Sequence, residues 1–363
     1  MERCFPDRRR SFSRSSPSPP APSLCMSHPS FPPSKPPSIG DEIVVQPGTY
    51  RETIHFQGKN LYFHKVIPKD PKIDEPAIID GDHQDSVVTF AGTETSDCIL
   101  AGFTIQNGSE GYGGGINGHK CHATIRNNLI QDNFSLIYGG GLYQCNGIIE
   151  HNEITDNQSN AGGGLCDCDG QIQFNRITFN TADDSYVPFS YQGRGGGLAD
   201  CGGTILGNIV SRNYSDGPGG GAQNVGDLAY NTFYRNSGDS GMAASKTGSL
   251  YGNIFWEPYG DPLGDTPDPK YCILSFLPLL GEVNGNLGTD PRMVDPDNMD
   301  FHLQPDSPAI DAGTSLFGPD FDLEDNPRPY DATDQTRGDG TDFDIGAFEY
   351  IGEAQPNPLP HQP

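Results

Sequence analysis

Between residues 111 and 258 the chain repeats itself. Glycine triplets occur in GYGGGI, IYGGGL, NAGGGL, GRGGGL and GPGGGA, beginning at 113, 139, 162, 195 and 219. Each is followed by an asparagine-bounded element: NLIQDN, NEITDN, NRITFN, NIVSRN and NTFYRN start at Asn128, Asn152, Asn175, Asn208 and Asn231, and a weaker copy, NIFWEP, starts at Asn253. The Asn spacings are 24, 23, 33, 23 and 22 residues, a period of about 23 with one insertion of about ten. Such a period marks a solenoid, in which a repeat buries its apolar face only against its neighbours.

No ten-residue stretch inside the repeat has helical periodicity, so three short strands joined by turns are expected in each coil. The expected fold is all-β, a right-handed parallel β-helix of roughly eight to ten coils, its hand set by strand twist and crossover preference. It is placed at residues 40–280, with an acidic segment at 281–350 covering the last coils. The first 38 residues hold ten Pro and ten Ser without apolar periodicity, so residues 1–39 are expected to be disordered, as is the tail 351–363. That leader lacks the apolar run of a secretory signal, and no stretch approaches the length of a membrane span.

Equivalent residues of stacked coils form ladders about 4.8 Å apart. Counting back seven residues from Asn128, Asn152, Asn175 and Asn208 gives Cys121, Cys145, Cys168 and Cys201, and Asn231 gives Asn224. Compact cysteines stacked in a core explain this series. A straight ladder supplies tetrahedral zinc ligands poorly, whereas adjacent rungs lie within disulfide reach, and the redox state stays open. The Asn ladders have a structural reading too, since stacked carboxamides hydrogen-bond to one another. No Lys-Ser or Lys-Thr follows the glycine triplets, so they are not phosphate loops.

A net charge of -26 excludes nucleic acid as a partner, because phosphates call for a surplus of Lys and Arg. Three residues beyond the closing Asn of each repeat stand Glu110, Leu136, Asn160, Asp183, Asp216 and Asp239. Stacked carboxylates repel unless a cation relieves them, so Glu110, Asp183, Asp216 and Asp239 form a column suited to Ca²⁺. The insertion TADDSYVPFSYQGR falls on this edge, bringing Asp184, Tyr186, Phe189, Tyr191 and Arg194, while Tyr112 and Tyr138 directly precede their triplets. Aromatic faces with carboxylates and an arginine make a sugar-binding groove; a solvated loop is the alternative. In the C-terminal segment the pairs Asp320/Asp322 and Asp342/Asp344 are candidates for a structural Ca²⁺ or for solvated loops.

These features resemble the right-handed parallel β-helix proteins of the pectin-lyase-like class, over roughly residues 40 to 350. GDEIVVQPGTYRETIHFQGKNLYF is similar to their first coils, and GFTIQNG before GGGI to their transition into repeats. DPRMVDPDNMDFHLQPDSPAIDAG with DIGAFEY is similar to the ending of large bacterial surface members. The resemblance implies a secreted or surface protein, a polysaccharide partner and, in its lyases, Ca²⁺ on a uronate with a basic side chain abstracting the C5 proton. Arg194, Arg212 and Arg235 are the candidate bases, the last two in one phase. Two functions are therefore expected to compete: a Ca²⁺-assisted lyase acting on acidic glycans, and a non-catalytic adhesive or carbohydrate-binding rod. A monomer is expected in either case. The architecture does not choose between them. The gathering of the three arginines beside the acidic column would.

Overall fold

In the coil that begins at Asn128, four strands follow in turn: Leu129–Gln131, Phe134–Tyr138, Leu142–Cys145 and Ile148–Glu150. The sequence led us to expect three. The glycine triplet bends the chain sharply enough to divide one side into two. Stacked coil on coil, these strands build parallel sheets of ten, five, eight and nine strands, together a β-solenoid of about 8 turns with ~24 residues per turn. The computed structural model describes residues 40–67, 75–184, 193–256, 262–275, 283–333 and 337–352. No helix among them is long and apolar enough to cross a membrane.

Strand residues alternate between the two faces, so one inward residue per strand repeats at each coil. In the ten-stranded sheet, Ile130, Ile154, Ile177, Val210, Phe233, Phe255 and Leu274 pair in register. Ile125, Ile149, Ile172, Ile205, Leu228 and Leu250 do so in the nine-stranded sheet. The eight-stranded sheet supplies Ile116, Leu142, Leu165, Leu198, Ala222 and Ala244. All belong to one buried core. The five-stranded sheet turns only small residues inward, Ser135, Ser159, Ala182 and Ser215. Coils lie close there: a Cβ on Gly163 would stand 2.5 Å from the carbonyl oxygen of Thr181, and one on Gly196 would stand 2.4 Å from that of Gly220. Only glycine fits.

Two asparagine ladders occupy two corners. From Asn128 through Asn152, Asn175, Asn208 and Asn231 to Asn253, each Oδ1 accepts both the backbone N–H and the Nδ2–H of the preceding rung, at 2.8–3.1 Å. Asn133, Asn157, Asn180, Asn213 and Asn236 repeat the pattern at 2.9–3.1 Å. In the second ladder the remaining Nδ2–H of each rung donates to a backbone carbonyl of the preceding coil at 2.8–3.0 Å. Beyond Asn253 the rung is Cys272, whose Sγ accepts the Asn253 N–H at 3.4 Å.

The cysteine ladder is present and fully buried, Cys121 to Cys145 to Cys168 to Cys201, with all four thiols free. Its next rung is Val225, not Asn224. Ala199 pairs with Gln223 and the Gly226 N–H bonds to Cys201, which sets Cys201 against Val225. Only six positions separate Val225 from Asn231, against seven from Cys201 to Asn208, so a fixed count slips by one and lands on an exposed residue.

The C-terminal residues pack back on the flank of the last coils. An outward column of the ten-stranded sheet turns apolar at Ile209 and Ile254, where Leu303, Ile310, Ile345 and Phe348 cover it, while Thr232 between them accepts the Ala347 N–H. A hairpin, Met293–Asp295 with Asp300–Leu303, lies in this layer.

Two outcomes follow. Asn180→Ala takes the acceptor from both Asn157 donors and removes the side-chain bonds to the Ile154 carbonyl and the Asn213 oxygen, so urea denaturation followed by circular dichroism should show a loss of about 3 kcal/mol. A loss below about 1 kcal/mol would show that the ladder does not hold the coils in phase. In native protein, a thiol reagent should leave Cys98, Cys121, Cys145, Cys166, Cys168, Cys201 and Cys272 untouched until denaturant is added, since all seven are buried.

Candidate functional site

At each triplet the first glycine takes φ of +62 to +70°, and the chain creases outward. The outward residue two places beyond the triplet is drawn under that crease: a Cβ on Gly162 would lie 2.8 Å from the Cβ of Cys166, and one on Gly195 would lie 2.8 Å from that of Ala199. Stacked creases make a groove along the solenoid. Its floor is the column Asn117, Tyr143, Cys166, Ala199, Gln223 and Ser245. One wall is Tyr112, Tyr138, Ala161 and Arg194, which directly precede their triplets. The opposite wall is Gln144, Asp167, Asp200 and Asn224, each with φ of +52 to +54°.

The aromatic end is compact. Ring centroids lie 5.4 Å apart for Tyr112 and Tyr143, 5.9 Å for Tyr112 and Tyr138, and 6.0 Å for Tyr138 and Tyr143. Arg194 stands 5.7 Å over Tyr138 and bonds Asp200 at 2.7 Å, so it spans the groove from wall to wall. Asp200 also accepts from Asn224 at 2.7 Å, and Asp167 accepts from Gln144 at 2.6 Å. Burial, then the Asp167 carboxylate, pushes the Tyr143 hydroxyl up to about 12, so it stays a donor at neutral pH. Burial, then Asp200, holds the Cys166 thiol well above its ordinary value, which makes it an inert floor rather than a nucleophile. Two floor oxygens, Asn117 Oδ1 at one end and Gln223 Oε1 one rung from the other, are buried without a hydrogen-bond partner.

The expected acidic column divides. Asn160, Asp183 and Asp216 share one phase, with the Asp183 N–H on the Ser159 carbonyl and the Asp216 N–H on that of Ala182. Glu110 does not join it. It pairs with Ser135 rather than Leu136, because the closing Asn133 faces Gly108 and not Asn107. Asp239 slips as well, its N–H turning to the Gly217 carbonyl. Asp183 takes a hydrogen bond from Gln158 at 2.9 Å, and Asp216 takes one from the Asp184 N–H at 3.1 Å. Burial and the neighbouring Asp184 raise Asp216 above the usual carboxylate range. Among the described residues, no group of three or more His, Cys, Asp or Glu converges as a metal ion requires. Tyr186, Phe189 and Tyr191 lie outside the described residues.

The arginines do not gather. Arg194 sits in the groove, while Arg212 and Arg235 share a phase, as their spacing implied, and hold a residue of the C-terminal hairpin. Arg235 bonds Asp297 at 2.6 Å, Arg212 bonds the Asp297 carbonyl at 2.6 Å, and the Tyr234 hydroxyl reaches its carboxylate at 2.9 Å. In the C-terminal layer the Asp-x-Asp pairs split: Asp320 is exposed and Asp342 half-buried, and Asp322 and Asp344 are buried. Asp322 accepts the N–H groups of Glu324, Asn326 and Glu349, and Asp344 those of Asp311 and Tyr350. Backbone donors thus satisfy both buried carboxylates. Arg328, buried 4.6 Å over the Tyr230 ring, bonds Glu349 at 2.7 Å.

Sequence reasoning missed Tyr143, Gln144, Asp167 and Asp200, all reachable by aligning the residues that follow each triplet. No family model, curated protein or solved structure matches the chain.

The buried carboxyls fix the sign of a pH effect. Burial, with the charge of Glu349, lifts Asp344 well above the carboxylate range, and burial lifts Glu349. His302 is raised too: burial opposes its charge, but hydrogen bonds to Glu324 and Asp300 prevail. Each raised group stabilises the fold fully below its unfolded value, and that contribution is lost as pH rises through the folded value. Thermal melting should therefore fall between about pH 5 and 8, and His302→Gln should flatten the upper part. A melting temperature that climbs across this window would contradict the assignment.

Proposed function

We propose that the chain is an extracellular, carbohydrate-binding β-solenoid that holds an extended polysaccharide along the crease groove. The observation that carries this reading is the cluster of three tyrosine rings within 6.0 Å of one another, continued by the Arg194–Asp200 pair. Aromatic faces stack on the C–H faces of pyranoses, and a guanidinium or carboxylate bonds neighbouring hydroxyls in pairs. The columns advance by ~4.8 Å per coil, so recognition groups recur along a line that a linear glycan can follow. The sequence resemblance to the pectin-lyase-like β-helices supports the same class of ligand and an extracellular setting.

A Ca²⁺-assisted lyase acting on acidic glycans is the second reading. It draws on the in-phase carboxylates Asp183 and Asp216 with Asp184 beside them. Of its candidate bases, Arg212 and Arg235 are bonded to Asp297 and Arg194 to Asp200, and that weighs against it.

Affinity electrophoresis through gels containing soluble polysaccharides separates the two. Retardation by at least one glycan is expected, with Tyr143→Ala and Tyr138→Ala each weakening it about tenfold, and Arg235→Ala leaving it unchanged. Retardation that survives both tyrosine changes would refute the groove. Absorbance of unsaturated uronate that appears with Ca²⁺ and vanishes with chelator would replace binding by the lyase reading.

A further inference from the structure

A second cavity, of ≈ 540 Å³, opens at the seam between the solenoid and the C-terminal hairpin. It is lined by Tyr234, Trp256, Arg292, Gln304, Asp290 and Asp306 among others. The volume lies in the range of small-molecule sites, about 300–1,000 Å³. Tyr234 and Trp256 are register partners on adjacent strands of the ten-stranded sheet, so both rings stand on one outward column. The segments that flank the hairpin strands supply the polar rim, and the hairpin is fixed to the solenoid by the hold of Arg212, Arg235 and Tyr234 on Asp297.

The rim is set in place by its own hydrogen bonds. The Arg292 N–H donates to Asp290 at 2.8 Å, and its guanidinium bonds Asp306. The Gln304 N–H bonds the Arg292 carbonyl at 2.9 Å, and its Nε2 donates to the Met293 carbonyl at 2.9 Å, which leaves Oε1 as an acceptor. We propose that this seam cavity is a separate binding site for a neutral saccharide unit. Its ring face would lie on Trp256 and its hydroxyls on Asp290, Arg292, Gln304 and Asp306. Two carboxylates against one arginine disfavour an anionic sugar. An organic cation would compete with Arg235, which already stands 5.2 Å from the Tyr234 ring centroid. The site shares no residue with the tyrosine groove, so it stands or falls independently of that reading.

Trp256 is the one tryptophan in the chain, so its emission reports this cavity. Full-length protein would be titrated with neutral hexasaccharides of glucose, mannose and N-acetylglucosamine, and with a hexauronate as the anionic probe. A saturable change in Trp256 emission with a neutral sugar is expected. Gln304→Ala and Asp290→Asn should each weaken it about tenfold, and Tyr143→Ala should not change it. Asp290→Asn should melt like the parent, since Asp290 is exposed, and Gln304→Ala somewhat lower, since its half-buried amide bonds the Met293 carbonyl; the sugar response is compared below both melting transitions. No emission change with any neutral hexasaccharide would overturn the proposal. So would a response lost in Tyr143→Ala but kept in the rim variants, or one confined to the hexauronate.

Discussion

The buried carboxamide is the interaction on which the rest of this structure depends. In both asparagine ladders one oxygen accepts two donors from the neighbouring coil, and those donors have nowhere else to go. Apolar ladders fill the interior but specify phase weakly, because an isoleucine packs acceptably against several partners. A carboxamide away from its partner instead leaves buried polar groups unpaired, at about 1–3 kcal/mol each. Isoleucine sets the width of the coil and asparagine sets its register. A slip of one residue would carry the core side chains to the outer face.

Fixed phase turns a one-dimensional sequence into columns, and the outer columns carry the chemistry. The triplet crease gathers three such columns, so that Tyr112, Tyr138 and Tyr143 from two coils meet, and Arg194 bridges to Asp200. None of these residues needs to be near another in sequence. A different use of the same regularity covers the flank, where Ile209 and Ile254 replace the outward Glu153 and Arg176 of earlier coils and the C-terminal layer docks.

Much of this was legible because the repeat is regular. The parallel solenoid, both asparagine ladders, the four cysteine rungs and the shared phase of Arg212 and Arg235 all follow from counting. Counting failed where a turn gained or lost one residue. Val225 took the rung given to Asn224, and Glu110 fell opposite Ser135, since the first coils lack the full motif. The fourth strand was hidden because glycine carries no pattern of burial. The C-terminal layer was hidden for another reason: its buried acids, Asp322 and Asp344, are satisfied by backbone N–H groups from distant loops, and no spacing rule encodes those.

One step of the ladder is longer than the others. Asn175 and Asn208 are 33 residues apart, yet their two hydrogen bonds are 2.8 and 3.0 Å, as short as those of ordinary steps. The stack therefore does not register how much chain lies between rungs, only that the next carboxamide arrives. At the position of that insertion the solenoid behaves as a rack with an open slot: foreign sequence can be spliced there without disturbing the coils above or below. An engineer can graft a peptide into it.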